Sequence, residues 1–227
     1  MGIVTVYGNN VVSLHPNNLG MEDRVVMVAH KQSAFARHIN LLGFALKEIK
    51  ESAKKDNRWA AVYWDQASMS DFVERNKIVN HLLNTPVGCT QILDFNINGI
   101  GTTKERLIRE SLTYCDLLRI GKEELSALCH LLGIETNSLF DSCFELMARF
   151  SIKTLIVSHG NFGSHVFHGN AVSEKWGHLS FGACSKEEAE GAFLAAYFAA
   201  SQGSESVFTD YHKQALEYLK RVCRPQC

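Results

Sequence analysis

The sequence predicts an α/β fold, a three-layer sandwich whose central sheet is mostly parallel and carries helices on both faces. Three observations lead there. Short runs rich in β-branched and aliphatic residues recur along the chain, at Arg24 to Ala29, Trp59 to Trp64, Thr90 to Phe95, Leu117 to Ile120 and Thr154 to Ser158. Between them lie stretches of helical spacing, the pattern of strands joined by crossover helices. The third observation is a long helix from Ser185 to Ser201 whose second half is apolar almost all round. A helix of that kind is buried between other elements.

Length and composition narrow the class. The chain has 227 residues, of which 46% are hydrophobic, enough to bury one sizeable α/β core. No repeat, low-complexity tract or linker interrupts it, so a single domain over residues 1–227 is expected. Net charge is −1, from 23 basic and 24 acidic residues. No basic field marks a nucleic-acid surface, and neither a Lys/Arg-rich segment nor an apolar span marks a membrane. The opening MGIVTVYG lacks the basic and apolar regions of a secretory signal, and Val6 stands where a myristoylation motif needs Ser or Thr. Seven cysteines form no CxxC pair, which favours a reducing compartment and a cytoplasmic protein.

In order, Ile3 to Tyr7 reads as a strand running into the turn Gly8-Asn9-Asn10, and Val11 to Leu14 and Arg24 to Ala29 as further strands. Ser33 to Leu42 has helix spacing through Phe35, Ile39 and Leu42 and stops at Gly43. Ala45 to Ile49 is a strand candidate, and Lys50 to Arg58 a charged connector. The strand Trp59 to Trp64 precedes a helix from Ser70 to Leu83. After Thr90 to Phe95 come a helix from Lys104 to Tyr114, the strand Leu117 to Ile120, and helices from Lys122 to Leu132 and Ser138 to Phe150. Thr154 to Ser158 is a strong buried strand, with Ser164 to His168 as its hairpin partner. Phe208 to Val222 is the last, amphipathic helix.

The long helix organises this set. Ser185 with Glu188 three residues on reads as a capping box, starting the helix at Lys186. Ala189, Ala192, Phe193, Ala196, Tyr197 and Ala200 then recur at helical spacing. A small-residue turn, Gly182-Ala183-Cys184, opens it, and such a turn often holds phosphate on helix N-terminal amides. Glu187, Glu188 and Glu190 crowd the same end, where they suit the helix dipole but repel a polyphosphate.

In a parallel sheet the ligand crevice lies at the carboxyl ends of strands. Polar groups sit there at Asp94 and Asn96, at Ser158-His159-Gly160, and at the Gly182 turn. Each has a plainer reading. Gly160 and Gly163 suit either a nucleotide or a hairpin turn, and Asx residues at strand ends form turns. Glu124 is a candidate metal ligand or a solvated first-turn acid. His159, His165, His168 and His178 invite a metal reading, but strand alternation puts His165 and His168 on opposite faces. Cys223 and Cys227 read as exposed thiols near the terminus.

At these residues the chain resembles the PfkB (ribokinase-like) carbohydrate kinases, and among them fructokinase-like members. ILDFNINGIGTTKERLIRESLTYCDLLRIGKEELSALCHLLGI, Ile92 to Ile134, is similar to that family's D-x-N-x-R strand end, helix, short strand and N-x-x-E segment in unbroken order. LIVSHGNFGSHVF, Leu155 to Phe167, resembles the nucleotide-side strand and its G-x-x-G turn. GAFLAAYFAA, Gly191 to Ala200, resembles the helix that begins with the G-A-G-D signature. YGNNVVSLHP and AHKQSAFARHINLLGF resemble the first strand and the sugar segment. The resemblance implies a ribokinase-like fold, ATP and Mg²⁺ as cofactors if activity is retained, and a sugar or nucleotide ligand. It implies nucleotide contacts at Ser158, Gly160, Gly163, Asn96 and Asp94 and a metal contact at Glu124.

The departures bear on chemistry. The family's general base closes G-A-G-D, and here Glu188-Ala189-Glu190-Gly191 take that signature, so Gly191 replaces the base. In the shifted alignment on Gly182-Ala183-Cys184-Ser185, Ser185 replaces it. N-x-x-E becomes Gly121-Lys122-Glu123-Glu124, and D-x-N-x-R becomes Asp94-Phe95-Asn96-Ile97-Asn98, without its arginine. The sugar-side Asp aligns with Ser13, the Gly-Gly pair with Ala29-His30 and a later Asn with Ala34. The lid strands, expected near Lys50 to Arg58, are absent. A general base supplies about a hundred- to ten-thousand-fold in rate. The expectation is therefore a kinase-like protein without phosphotransfer, a binding or regulatory module. The alternatives are an active carbohydrate kinase and a structural partner subunit, as a homo-oligomer or beside a complete kinase.

Overall fold

The computed structural model describes residues 4–7, 10–13, 24–50, 58–96, 105–160, 163–176, 184–203 and 207–223. The turn at Gly182 and Ala183, the connector at 51–57, and Asn98, His178 and Cys227 lie outside the described residues.

Eight strands form the main sheet: β3 (Val25–Val28), β4 (Ala45–Glu48), β5 (Trp59–Asp65), β6 (Thr90–Phe95), β7 (Leu117–Gly121), β8 (Thr154–Ser158), β9 (Gly163–His168) and β10 (Ala171–Trp176). Their spatial order is β10-β9-β8-β7-β6-β5-β3-β4. All neighbours from β4 to β8 are parallel, while β9 and β10 are antiparallel additions. The strands from β3 to β8 are thus the sheet's parallel body. The two strands at the front do not join it. β1 (Val4–Tyr7) and β2 (Asn10–Ser13) pair with each other as a separate antiparallel sheet.

Helices cover both faces, as expected. α1 (Ala34–Leu41), α6 (Lys186–Gly203) and α7 (Phe208–Val222) pack on one face. The other face carries α2 (Phe72–Leu83), α3 (Glu105–Thr113), α4 (Lys122–Leu131) and α5 (Leu139–Phe150). Strand side chains alternate between the two cores. Val26, Tyr63, Ile92 and Ile156 point to the α6 side, and Val25, Trp64, Leu93 and Val157 to the other. That alternation follows from the two-residue period of a strand.

Local chemistry sets the helix ends. Ser33 Oγ accepts from the Ala36 amide at 3.1 Å, and Ser138 Oγ from Asp141 N at 3.0 Å. α2 begins at Phe72 rather than Ser70, because a 3-10 turn (Ser68–Ser70) intervenes and Asp71 caps the helix through Glu74 N at 2.9 Å. β10 was not foreseen. AVSEKW exposes Glu174 and Lys175, one on each face, and buries only Ser173, as an edge strand does.

The long helix is core throughout its apolar part: Ala192, Leu194, Ala195 and Phe198 are fully buried. Gly191 has a packing reason to be glycine. A Cβ there would lie 2.4 Å from Ala34 Cβ and 2.7 Å from Phe35 N. The absent side chain lets α6 lie directly on the start of α1.

Candidate functional site at the carboxyl ends of the strands

Asp94, Arg119 and Ser158 sit on three adjacent strands, and the period of two turns all three toward α6. Asp94 is paired in register with Arg119 across β6 and β7. The Arg119 guanidinium bonds Asp94 on one side and Glu190 Oε2 of α6 on the other, the latter at 2.9 Å. Ser158 Oγ donates to Glu190 Oε1 at 2.9 Å, and Tyr63 Oη donates to Asp94 Oδ2 at 3.1 Å. The Arg119 side chain is only 7% exposed, and those of Asp94 and Glu190 13% each.

Burial works against the charge on Arg119, but the carboxylates of Asp94 and Glu190 outweigh it and hold the guanidinium above its ordinary range. Burial pushes the Asp94 carboxyl up, against the opposing pull of Arg119. Burial, reinforced by Asp94, also raises Tyr63, so its phenol keeps the proton it donates. The buried cation is tolerated because two carboxylates flank it, although Arg119 Nε has no hydrogen-bond partner among the described residues.

This arrangement corrects the picture of three carboxylates crowding the helix entrance. Glu187 is exposed, but Glu190 turns inward to Arg119, and Glu188 is bound to α1. Arg37 Nη2 pairs with Glu188, and His38 Nε2 lies 2.8 Å from Glu188 Oε1, with Nδ1 3.0 Å from Tyr218 Oη of α7. Burial keeps His38 low and neutral despite its carboxylate neighbour, so Nε2–H donates to Glu188 and Nδ1 accepts from Tyr218. Burial opposes the charge on Glu188, but the hydrogen bonds from Arg37 and His38 hold its carboxyl low. The capping box is half made. Glu188 N donates to Ser185 Oγ at 3.1 Å, whereas the Glu188 carboxylate is used by α1.

The other candidates spread around this network. Gly160 and Gly163 line a recess with Arg119, Ser158 and Glu190, closed by Lys186 and Phe193. Its water-accessible volume among the described residues is about 30 Å³, room for a water or two. Gly163 (φ 126°) is fixed by its neighbour strand, since a Cβ there would lie 2.1 Å from the Lys175 carbonyl oxygen. Asn96 is exposed at the end of β6, and Ser185 is the exposed cap of α6. A larger cavity, about 510 Å³, opens at the opposite, amino-terminal edge of β6, β7 and β8, away from these residues.

Two plainer readings are overturned. Glu124 is not a solvated acid: its side chain is 15% exposed, and its Oε2 would lie 1.7 Å from a Cβ on Gly121. The carboxylate fills the side-chain space that glycine leaves at 121. Cys223 is not an exposed thiol but 3% exposed. The histidines divide as alternation required. His165 meets Phe140 of α5 and His159, while His168 bonds Thr154 and stacks on Phe208 of α7. Among the described residues no group of three or more His, Cys, Asp or Glu is placed to hold a metal ion.

Sequence reasoning missed Arg119 and the inward turn of Glu190. One signal was present: a lone arginine inside the apolar strand LLRIG requires buried acids as partners.

Fold and site together define a ribokinase-like α/β protein, with polar groups at the carboxyl ends of parallel strands. Its solved structural neighbours are PfkB/ribokinase-family kinases. Fructokinase from Vibrio cholerae O395 matches at TM-score 0.54 and 14% identity, over 72% of this chain and 56% of that one. An Anopheles gambiae adenosine kinase, solved with P1,P4-di(adenosine-5) tetraphosphate, matches at 0.56 and 14%, over 73% and 51%. Aminoimidazole riboside kinase from Salmonella enterica matches at 0.56 and 13%, over 98% and 90%. The chain thus spans about half the length of the fructokinase and adenosine kinase it resembles. No protein-family profile and no curated protein sequence matches it.

Proposed function

We propose that this chain is a single ribokinase-like domain that has lost phosphotransfer and serves as a binding or regulatory module. One observation carries the reading: Glu190, an internal carboxylate, takes the charge of Arg119 at the strand ends where a kinase of this fold would meet its anionic substrate. Three features support it. Gly191 stands in the family's base position, and contact with Ala34 and Phe35 leaves no space there for a carboxylate. Glu124 is folded against Gly121, with Lys186 of α6 3.9 Å from its Oε1. The recess beside Glu190 is lined by the Arg119–Glu190 pair itself. The residues at the entrance to α6 therefore do not fit a Mg²⁺-bound polyphosphate.

The test is phosphoryl transfer from ATP and Mg²⁺ to fructose, ribose, adenosine and an aminoimidazole riboside. No transfer above background is expected; turnover near one per second, an ordinary kinase rate, would overturn the reading. A thermal-shift panel of the same compounds would separate a binding module from a scaffold, since a ligand of the folded state raises the melting temperature.

Among the described residues no helix is long and apolar enough to cross a membrane. The six described cysteines are free, which supports a reducing, cytoplasmic setting.

A further inference from the structure

The entrance to α6 carries a second feature, independent of the ion pairs. Cys184 stands immediately before the cap Ser185, and Cys223 is the C-cap of α7. The two helix ends meet. Cys184 Sγ lies 3.9 Å from the carbonyl oxygen of Val222, the residue before Cys223, and Cys184 packs against the core cluster that contains Cys223. Cys184 is partly exposed, while Cys223 lies in the core shared by α1, α6 and α7. The other described cysteines are buried on the far side of the sheet. Cys129 and Cys143 also neighbour each other there, but both are closed to solvent.

We propose that Cys184 and Cys223 form a modification site, a dithiol that takes up a disulfide by exchange with a small-molecule disulfide such as oxidised glutathione. The accessible Cys184 reacts first. Its thiolate attacks one sulfur of the small disulfide, making a mixed disulfide and releasing one small thiolate, which takes up the proton Cys184 lost. Cys223, deprotonated in turn, attacks the Cys184 sulfur and releases the second small thiol. Two protein thiols are oxidised, and one small disulfide is reduced to two thiols. Burial, reinforced by the Cys184 thiol, holds the Cys223 thiol up. Cys223, 3% exposed, is closed to an external disulfide and can attack only a sulfur already held at Cys184, which makes it the resolving partner.

The link would join the residue before α6 to the end of α7. It would pin the helix start that carries Glu188 and Glu190 and close a loop of about forty residues, which stabilises the folded state mainly by restricting the unfolded chain. A rise in melting temperature of about 5–10 °C is expected for a chain of this size.

The experiment treats the full chain with oxidised glutathione, alkylates the remaining thiols and maps the peptides by mass. The expected result is a Cys184–Cys223 cross-linked peptide, a higher melting temperature and reversal of both by dithiothreitol. Cys184→Ser should abolish the cross-link. Cys223→Ser should leave glutathione on Cys184 as a stable mixed disulfide, and Cys227→Ser should change nothing. If Cys223→Ser fails to fold, the partly exposed Cys184→Ser still decides the matter. A cross-link to Cys227, a link between chains, or glutathionylated Cys184 that is never resolved in the parent protein would each overturn the proposal.

Discussion

Arg119 of β7 and Glu190 of α6 meet at 2.9 Å between Nη1 and Oε2, and the pair ties the sheet to the helix layer above it. Asp94 on the neighbouring strand flanks the guanidinium on its other side, while Ser158 donates to Glu190 and Tyr63 to Asp94. Glu190→Ala leaves Arg119 paired with Asp94 alone and takes the acceptor from both Arg119 Nη1 and Ser158 Oγ. Two unmade buried hydrogen bonds should cost about 2–5 kcal/mol of stability. Glu190→Gln, which keeps hydrogen bonds to Arg119 and Ser158, should cost about 1–3 kcal/mol. Urea denaturation of the two variants checks the order; an alanine variant as stable as the parent would show that the pair does not form.

Gly191 gives a prediction of reversed sign. In an exposed helix interior Gly→Ala stabilises by up to about 1 kcal/mol. Here the new Cβ would press on Ala34 and Phe35, so Gly191→Ala should destabilise, by about 1–3 kcal/mol. Gly191→Asp should be worse and should leave phosphotransfer at background. Melting temperatures with a kinase assay test both points, and a folded, active Gly191→Asp protein would contradict them.

The three glutamates at the start of α6 should separate. Glu187 is exposed, so Glu187→Gln should change stability by no more than about 0.5 kcal/mol. Glu188 binds Arg37 and His38, and Glu188→Gln should cost about 1–2 kcal/mol. Nucleotide affinity should not appear in either variant, because the Glu190–Arg119 pair stays in place. Calorimetry with ATP and Mg²⁺ at one salt concentration provides the check.

Acid should destabilise the protein through His212 before it reaches the carboxylates. His212 is fully buried, 2.8 Å from Ser164 Oγ through Nε2 and 2.9 Å from Ser173 Oγ through Nδ1. Burial, with Lys175 and His165 nearby, lowers its pKa to about 4. Above the ordinary value near 6.5 neither folded nor unfolded chain is protonated there. As pH falls from about 6.5 to 4, the unfolded state binds a proton that the folded state refuses, so stability declines by roughly 3 kcal/mol at most. His212→Gln should flatten this part of the urea-midpoint profile while lowering stability at pH 7. An unchanged slope would assign the acid sensitivity elsewhere, with His38 and His159, whose pKa values are also lowered, as the next groups to test.

Much of the fold was legible from local chemistry. The strands from Val25 to Ser158 and the start of α6 at Lys186 follow from apolar runs, turn residues and caps, all short-range signals. Positions at the ends of their apolar runs placed Asp94 and Ser158 at the carboxyl end of the sheet, and strand alternation put His165 and His168 on opposite faces. β10 escaped because an edge strand with one solvated face carries little hydrophobic signal. β1 and β2 were readable as strands but not as a separate sheet, since pairing is a long-range choice.

The sequence by itself thus determined a layered α/β protein with polar groups at the strand ends. Tertiary structure decided what those groups do. Whether Glu190 repels a ligand or neutralises Arg119 depends on which side of α6 faces the sheet. Whether Gly191 is a vacancy or a contact depends on how closely α1 approaches. Both outcomes rest on distances between residues far apart in the chain, where burial and Coulomb energy vary steeply with geometry.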